Sequence, residues 1–334
     1  MKSAKTETVC AVVVTYNRKE LLIECLEALL KQTRPLDGIY IIDNASADGT
    51  PELLKEKRFI QELPPKELSE PWEKEFILTN QLSPSGNHQL PIHYVRMHEN
   101  TGGAGGFHEG VKRAYEKGYD WLWLMDDDVE AIEDCLYYLL SYGKKSMILT
   151  PLRINKFSRI EEYNGIRLDL SNPFLRFNRL KIPIYELYEN LEEAQQLEFI
   201  EVKDFSFEGP LINRKVVEVV GFPMKEFFIG GDDLEYSLRI KSKLSNVKFL
   251  CITRAVLVRK LSKLSSVSKR RKGLSWRDFY NFRNYTFIHK KYGNNFLVKL
   301  KPFFLFILIS LKNFYNFKKV KLFSKALWEG YFKL

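Results

Sequence analysis

The sequence predicts an α/β fold built on a largely parallel sheet. Three observations carry this: apolar runs rich in β-branched residues alternate with helical stripes, each run ends in polar residues, and the spacing suits strand–helix–strand units. "TVCAVVVTY", from Thr8, is a continuous apolar run, the pattern of a strand buried on both faces. "RKELLIECLEALLKQ" follows with Leu21, Leu22, Cys25, Leu26, Leu29 and Leu30 on one helical stripe. "GIYIIDNAS" reads as a second buried strand, and a helix begins near Pro51 in "SADGTPELLKEKR". "PIHYVRMHE" is a third strand, "FHEGVKRAYEKG" a further helix and "DWLWLMDDD" a fourth strand.

Lys57 to Gln89 breaks this rhythm with "PP", "EPW" and "SPSGN" and reads as an inserted excursion. Ile148 to Phe207 is mixed. Order returns in "VKDFSFEGPLINRKVVEVVGFPMKEFFIGGDDLEYSLRIKSK" as strand, helix, Gly-Pro-rich loop and a helix opening at an acidic cluster. The expected organisation is an α/β domain over residues 1–255, with the 57–89 insertion, followed by a basic, helical region over 256–334.

Composition narrows the classes. A hydrophobic content of 45% with 28% charged residues belongs to a folded chain, not a disordered one. The opening "MKSAKTETVC" has no apolar leader core, so no secretory signal is expected. Cys10, Cys25, Cys135 and Cys251 are scattered without CxxC pairing, which argues against a zinc site or disulfide framework and fits a reducing cytoplasm. The net charge of +10 is uneven: from Arg239 to Leu334 there are 24 Lys or Arg against Asp278 and Glu329 alone. Such a segment is drawn to a polyanionic surface. "FFLFILISL", Phe303 to Leu311, flanked by Lys299, Lys301 and Lys312, is too short to cross a membrane, which takes about 20 residues. It suits the interface instead. Peripheral association with an anionic membrane is therefore expected. Nucleic acid is not the expected partner, since no recognised module accompanies the basic residues.

Four polar stations follow apolar strands: Thr15 to Arg18, Asp43 to Ser46 with Asn44, Asn100 to Phe107, and Asp126 to Asp128. Parallel strands deliver such stations to one edge of the sheet. Each alone is ordinary turn chemistry; four in register point to a binding site. "NTGGAGGF" holds four glycines in five positions at a helix opening, a natural anion cradle, with Asn100, Gly102 and Gly103 as candidate donor contacts. It is neither a Walker loop nor, following the third strand, a dinucleotide fingerprint. Asp126 and Asp128, one residue apart, suit a hard divalent cation, Mg²⁺ or Mn²⁺, that would neutralise a nucleotide diphosphate. Asp127 would point to the nucleotide or sugar. In "GGDDLEYSLR", Asp232, Asp233 and Glu235 open a helix after an apolar loop, a setting for a general base acting on a hydroxyl. The alternative is acids that suit a helix N-terminus. The five histidines show no metal spacing.

Together these segments resemble the family 2 glycosyltransferases of the GT-A fold, over Val9 to Tyr292. "AVVVTYNRKELLIECLEALLKQT" with "IYIIDNASADGT" is similar to that family's nucleotide-binding half, and "MDDD" to its DXD-type metal motif. "NTGGAGGF", "MDDD" and "GGDDLEYSLR" are similar more narrowly to bacterial galactofuranosyltransferases, and next to rhamnosyltransferases. The resemblance implies that Thr15, Asn17, Arg18 and Asp43 hold base and ribose, Asp126 and Asp128 the metal, and Asp233 the catalytic base, with Asp232 beside it on sugar. Relatives often add a histidine metal ligand from the next strand. "CITRAVLVRKLSKLSS" offers only Arg254, Arg259 and Lys260, so either water takes that place or a basic side chain meets the diphosphate. The basic "VRKLSKLSSVSKRRKGLSW" falls where a lid over the diphosphate is expected.

The expected activity is inverting transfer of a sugar, galactofuranose from UDP-galactofuranose first and rhamnose from dTDP-rhamnose second, onto a glycan or polyprenyl-diphosphate-linked acceptor. The expected location is cytoplasmic, on the inner face of a bacterial plasma membrane. Other classes that use similar parts are nucleotidyltransferases, which release pyrophosphate from a free NTP, and non-catalytic membrane-binding proteins.

Overall fold

The computed structural model describes residues 7–175, 180–261 and 274–334. Its first half runs β1 (Val9–Thr15), α1 (Lys19–Leu30), β2 (Gly38–Asp43), α2 (Thr50–Glu56), β3 (Trp72–Asn80), β4 (His88–Arg96), α3 (Gly102–Lys117), β5 (Trp121–Asp126), β6 (Val129–Ala131), α4 (Cys135–Ser141) and β7 (Ile148–Asn155). The second half runs β8 (Gly165–Leu168), β9 (Lys181–Pro183), the single-turn α5 (Leu191–Ala194), β10 (Phe199–Val202), β11 (Leu211–Asn213), α6 (Arg214–Val220), α7 (Asp232–Lys243) and β12 (Phe249–Arg259). Three long helices follow: α8 (Trp276–Tyr292), α9 (Phe296–Lys312) and α10 (Phe317–Phe332).

One mixed sheet organises the chain in the order β10-β12-β7-β11-β5-β1-β2-β4-β3, with β6 on β12. Its centre, β5-β1-β2-β4, is parallel, so the carboxyl ends of these four strands share an edge. β1 is buried along its whole length. Its side chains alternate between layers: Val9, Ala11 and Val13 face α1 and α4, while Cys10, Val12 and Val14 face α3, α6 and α7.

The glycine-rich segment is helix rather than loop. Gly106 and Gly110 let α3 lie against β1, because a Cβ there would stand 2.5 Å from Val14 and 2.3 Å from Val12. Gly102, at φ +72°, passes so close to the loop before α7 that a Cβ would sit 2.0 Å from the Phe228 carbonyl oxygen. Only Gly103 of this group opens onto empty space. Most of these glycines thus serve close packing, and the expected cradle shrinks to the first turn of α3.

The 57–89 excursion also differs from expectation. It contains β3, which pairs antiparallel with β4 from Trp72 opposite Arg96 to Asn80 opposite His88. Accordingly β4 starts at His88, not Pro91. The charges of "WEKEF" hid this edge strand. They face out and pair locally, Lys74 with Glu62 (2.6 Å) and Glu75 with Lys117 (2.7 Å), as edge strands commonly do.

The expected division at residue 255 falls inside β12. Beyond it, α8 packs on α7 through Phe282, Tyr285 and Leu238, and α9 and α10 complete that small core. The outer faces of α9 and α10 and the turn between them stay apolar and exposed, Phe314, Phe317 and Phe332 each by three quarters or more. Among the described residues no helix is long and apolar enough to cross a membrane. The stretch expected to form a lid lies largely in 262–273, outside the described residues.

Candidate active site

The shared strand edge opens onto a cleft of about 500 Å³. The ends of β1, β2 and β4 contribute Thr15, Arg18, Asn44, Asn100, Gly102 and Gly103, and the end of β5 contributes Asp126, Asp127 and Asp128. Ser206 to Glu208 form another wall. Phe228 to Gly230, Asp232 and Asp233 close the far side, and Trp276 and Arg277 of α8 form the rim.

Within the triple aspartate the roles divide. Asp127 is buried; the Thr15 hydroxyl donates to its Oδ2 at 2.6 Å and Arg18 Nη1 to its Oδ1 at 3.0 Å. Burial pushes the Asp127 carboxyl up to about 6, although Arg18 and Thr15 favour its charged form. Arg18 Nη1 also donates to Asp128 Oδ2 at 3.1 Å. Asp126 and Asp128 both face the cleft with oxygen donors. Among the described residues no group of three or more His, Cys, Asp or Glu is placed to hold a metal. Two carboxylates nevertheless fit a magnesium-like ion, which usually takes one or two from protein and the rest from water and phosphate.

The basic residues of the following strand are placed otherwise than expected. Arg259 turns inward onto Glu208 and Glu161. Lys260 donates its backbone N–H to the Asp128 carbonyl at 2.9 Å, but its amine reaches Glu24 and Glu130. Arg254 lies on another surface, beside Tyr137, Tyr142 and Glu198. None of the three lines the cleft; among the described residues the cations in its wall are Arg18 and Arg277.

Two of the residues expected at the nucleotide are engaged in loop hydrogen bonds, Asp43 buried and Asn17 exposed. Asp43 is fully buried and accepts from Tyr94 Oη (2.7 Å), Arg96 Nη1 (2.5 Å) and Ser46 N (2.8 Å). Asn17, at φ +53°, accepts from the Ala47 N–H through Oδ1 at 2.6 Å. Both shape the loop that presents Asn44, whose amide donates to Asn100 Oδ1 (3.1 Å) and the Gly102 carbonyl (2.8 Å). His108 is likewise a loop support, its Nδ1 2.7 Å from the Pro223 carbonyl.

Opposite, Gly230 and Gly231 adopt left-handed φ of +78° and +84° and turn the chain into α7. Asp232 is the more buried of the acid pair. Burial first, then the charge of Asp233, pushes its carboxyl up to about 7. Asp233 is half-buried, with its Oδ1 accepting from Leu234 N at 2.7 Å. Glu235 belongs to the scaffold instead: it is fully buried and held by Arg239 (2.9 Å), Tyr292 (2.7 Å) and Lys291 (3.3 Å).

The loop carrying the pair is clamped by α8, a contribution the sequence did not disclose. Asn284 Nδ2 lies 2.8–3.1 Å from the carbonyl oxygens of Phe227, Ile229 and Gly230, and Arg283 Nη2 donates to Phe227 O at 3.1 Å. The only local signal was a polar Arg-Asn pair inside the aromatic run "NFRNYTF". On the cleft side, Phe228 stacks on Tyr280 with centroids 4.7 Å apart and meets Trp276 edge-on.

Comparison with known proteins agrees with this geometry. The family model described as Glycosyl transferase family 2 matches residues 10–67 and 80–221, its gap falling over β3. Galactofuranosyltransferase GlfT1 of Mycolicibacterium smegmatis is 28% identical over 244 residues, which cover 70% of this chain and 66% of that protein. Galactofuranosyltransferase GlfT1 of Mycobacterium tuberculosis H37Rv is 27% identical over 238 residues, 70% of this chain and 65% of that one. The match thus takes in just under two thirds of these relatives' length. The crystal structure of GalNAc-T7 with UDP, GalNAc and Mn²⁺ superposes with a TM-score of 0.59 at 14% identity, over 96% of this chain and 54% of that one, a likeness of fold. By the extent of the family match, this chain belongs to glycosyl transferase family 2.

Proposed function

We propose that the protein is an inverting glycosyltransferase that moves galactofuranose from UDP-galactofuranose onto a glycan or polyprenyl-diphosphate-linked acceptor. The observation that carries this is the convergence, on one cleft, of a polar strand-end wall, two outward carboxylates on β5 and the Asp232–Asp233 pair across from them. The sugar is chosen from the two galactofuranosyltransferase relatives.

In this reading the nucleotide lies along Thr15, Arg18, Asn44, Asn100 and Gly103, with Asp127 held by Thr15 and Arg18 as part of that wall. A divalent cation, Mg²⁺ or Mn²⁺, held by Asp126 and Asp128 would supply charge neutralisation to the departing diphosphate. Asp233 accepts the proton of the acceptor hydroxyl as its oxygen attacks the anomeric carbon from the face opposite the leaving group. Asp232 supports it: burial and the neighbouring charge push its carboxyl up to about 7, so it holds a proton near neutrality. A protonated Asp232 also donates a hydrogen bond to sugar. Trp276 and Arg277 at the rim face the acceptor's approach.

The same reading places the enzyme at the inner face of the plasma membrane. The exposed apolar faces of α9 and α10, interleaved with Lys312, Lys318, Lys319 and Lys325, suit an anionic interface without spanning it. Because α8 both walls the cleft and carries this hairpin, a lipid-linked acceptor would meet the cleft at the membrane surface.

The test is a panel of nucleotide sugars and free nucleoside triphosphates, with Mn²⁺ or chelator, read by product release. UDP release from UDP-galactofuranose, abolished by chelator, is expected; pyrophosphate release from a triphosphate would overturn the reading.

A further inference from the structure

The wall formed by Ser206 to Glu208 has no part in the chemistry above. Glu208 is 7% exposed, yet lines the cleft. Its Oε2 accepts from Arg259 Nε at 3.0 Å and from Arg259 Nη2, and lies 3.4 Å from Arg153 Nη1. Both arginines are buried beneath it, and neither reaches the cleft. Each is fixed from behind, Arg153 by Glu162, Ser206 and Asn164 (2.9 Å), Arg259 by Glu161 (3.4 Å).

The backbone is equally fixed. Gly209, at φ +102°, donates its N–H to the Leu124 carbonyl (2.7 Å) and accepts from Trp123 Nε1 (2.9 Å). A Cβ there would stand 2.3 Å from Leu257 and 2.7 Å from Pro151. β11 pairs with β5 with Leu211 opposite Trp123 and Ile212 opposite Leu122. Glu208 thus precedes a fixed turn into β11, on the same cleft as Asp126.

A carboxylate paired with two buried guanidinium groups is held in one orientation and presents acceptor oxygens. Facing the cleft, it suits a ligand that brings hydroxyl donors rather than a diphosphate. Its rigid mounting supplies the preorganisation that such reading requires.

We propose that Glu208 is a specificity-determining residue that accepts hydrogen bonds from hydroxyls of the donor sugar, with Arg153 and Arg259 as positioning residues behind it. This rests on the sugar-transfer reading above. It assigns the sugar end of the donor to the wall before β11, opposite the strand-end wall that takes the nucleotide.

The test compares wild type, Glu208→Gln and Glu208→Asp, the last keeping the charge beneath which both arginines sit. The probes are UDP alone, UDP-galactofuranose and singly deoxygenated UDP-galactofuranose analogues. UDP affinity should agree within about twofold across the three proteins, and the donor KM should rise about tenfold or more in both variants, the scale of a lost charged hydrogen bond. One deoxy donor should cost wild type a similar factor and cost Glu208→Gln nothing further, the non-additivity of a direct contact. An unchanged donor KM in both folded variants overturns the proposal, as does a rise confined to the acceptor KM, or a loss of UDP binding in Glu208→Asp. Failure of wild type to turn over any nucleotide sugar overturns the transfer reading and this inference with it; normal wild-type turnover with unaffected variants overturns the inference alone.

Discussion

The two acid clusters that face each other across the cleft look alike in sequence and differ in their mounting and in their neighbours. Asp126 to Asp128 stand at the end of a central strand, with Arg18 bridging two of the three. Asp232 and Asp233 open a helix after two left-handed glycines, on a loop held by Asn284 from α8. Each cluster buries one carboxyl, and the burial raises both. Asp127, countered by a guanidinium and a hydroxyl, settles at about 6; Asp232, beside a second anion, reaches about 7. The contrast teaches that an acid cluster acquires its chemistry from its neighbours. The proposed division, charge binding at β5 and proton removal at α7, follows this difference in surroundings.

Removing the carboxylate pair at the end of β5 should have a large effect. Asp126→Asn with Asp128→Asn is expected to lower transfer by about a hundredfold or more and abolish any response to Mn²⁺, since metal assistance contributes several kcal/mol. Tightened Mn²⁺ dependence in that variant would break the division of labour.

Loosening the other cluster should cost less. Asn284→Ala leaves buried carbonyls of the acid-bearing loop without their donor and should lower stability by about 1–3 kcal/mol, measured by denaturant unfolding. Transfer should fall more than UDP affinity, because the clamp touches only the α7 side.

A pH series sharpens the comparison further. Both raised carboxyls favour the folded state when protonated, so their contribution is full below the ordinary carboxylate range and is lost as pH rises through about 6 for Asp127 and about 7 for Asp232. Asp232→Asn should flatten the loss of stability up to about pH 7, and Asp127→Asn only that up to about pH 6. An Asp232→Asn variant with the wild-type slope would contradict the assignment.

The smallest effect on catalysis should come from the C-terminal hairpin. Phe314→Ser with Phe317→Ser should reduce co-sedimentation with anionic vesicles while leaving turnover of a water-soluble acceptor unchanged within about twofold, because both side chains lie outside the cleft.

Much of this arrangement was legible in the chain because burial writes a strong pattern. The runs at Val9, Gly38 and Trp121 announce central strands, and the parallel sheet brings their polar ends to one edge. β3 was not legible because an edge strand carries charges that mimic a loop. The resemblance puts Asn17 and Asp43 at the nucleotide; their hydrogen bonds to Tyr94, Arg96 and backbone amides, which shape the loop, were not legible in the chain. Glu208 carried no local signal, and Arg283 and Asn284 only that of a polar pair in an aromatic run, since their placement depends on partners tens of residues away. Long-range side-chain pairing leaves no period to read.

The central claim is that proton removal belongs to the α7 cluster and charge binding to the β5 cluster. It is tested most directly by measuring UDP release from UDP-galactofuranose in the presence of acceptor by Asp233→Asn, alongside UDP affinity. The account predicts turnover lower by about 10²–10⁴-fold, the contribution of a general base, with UDP affinity kept. Turnover equal to wild type would contradict it.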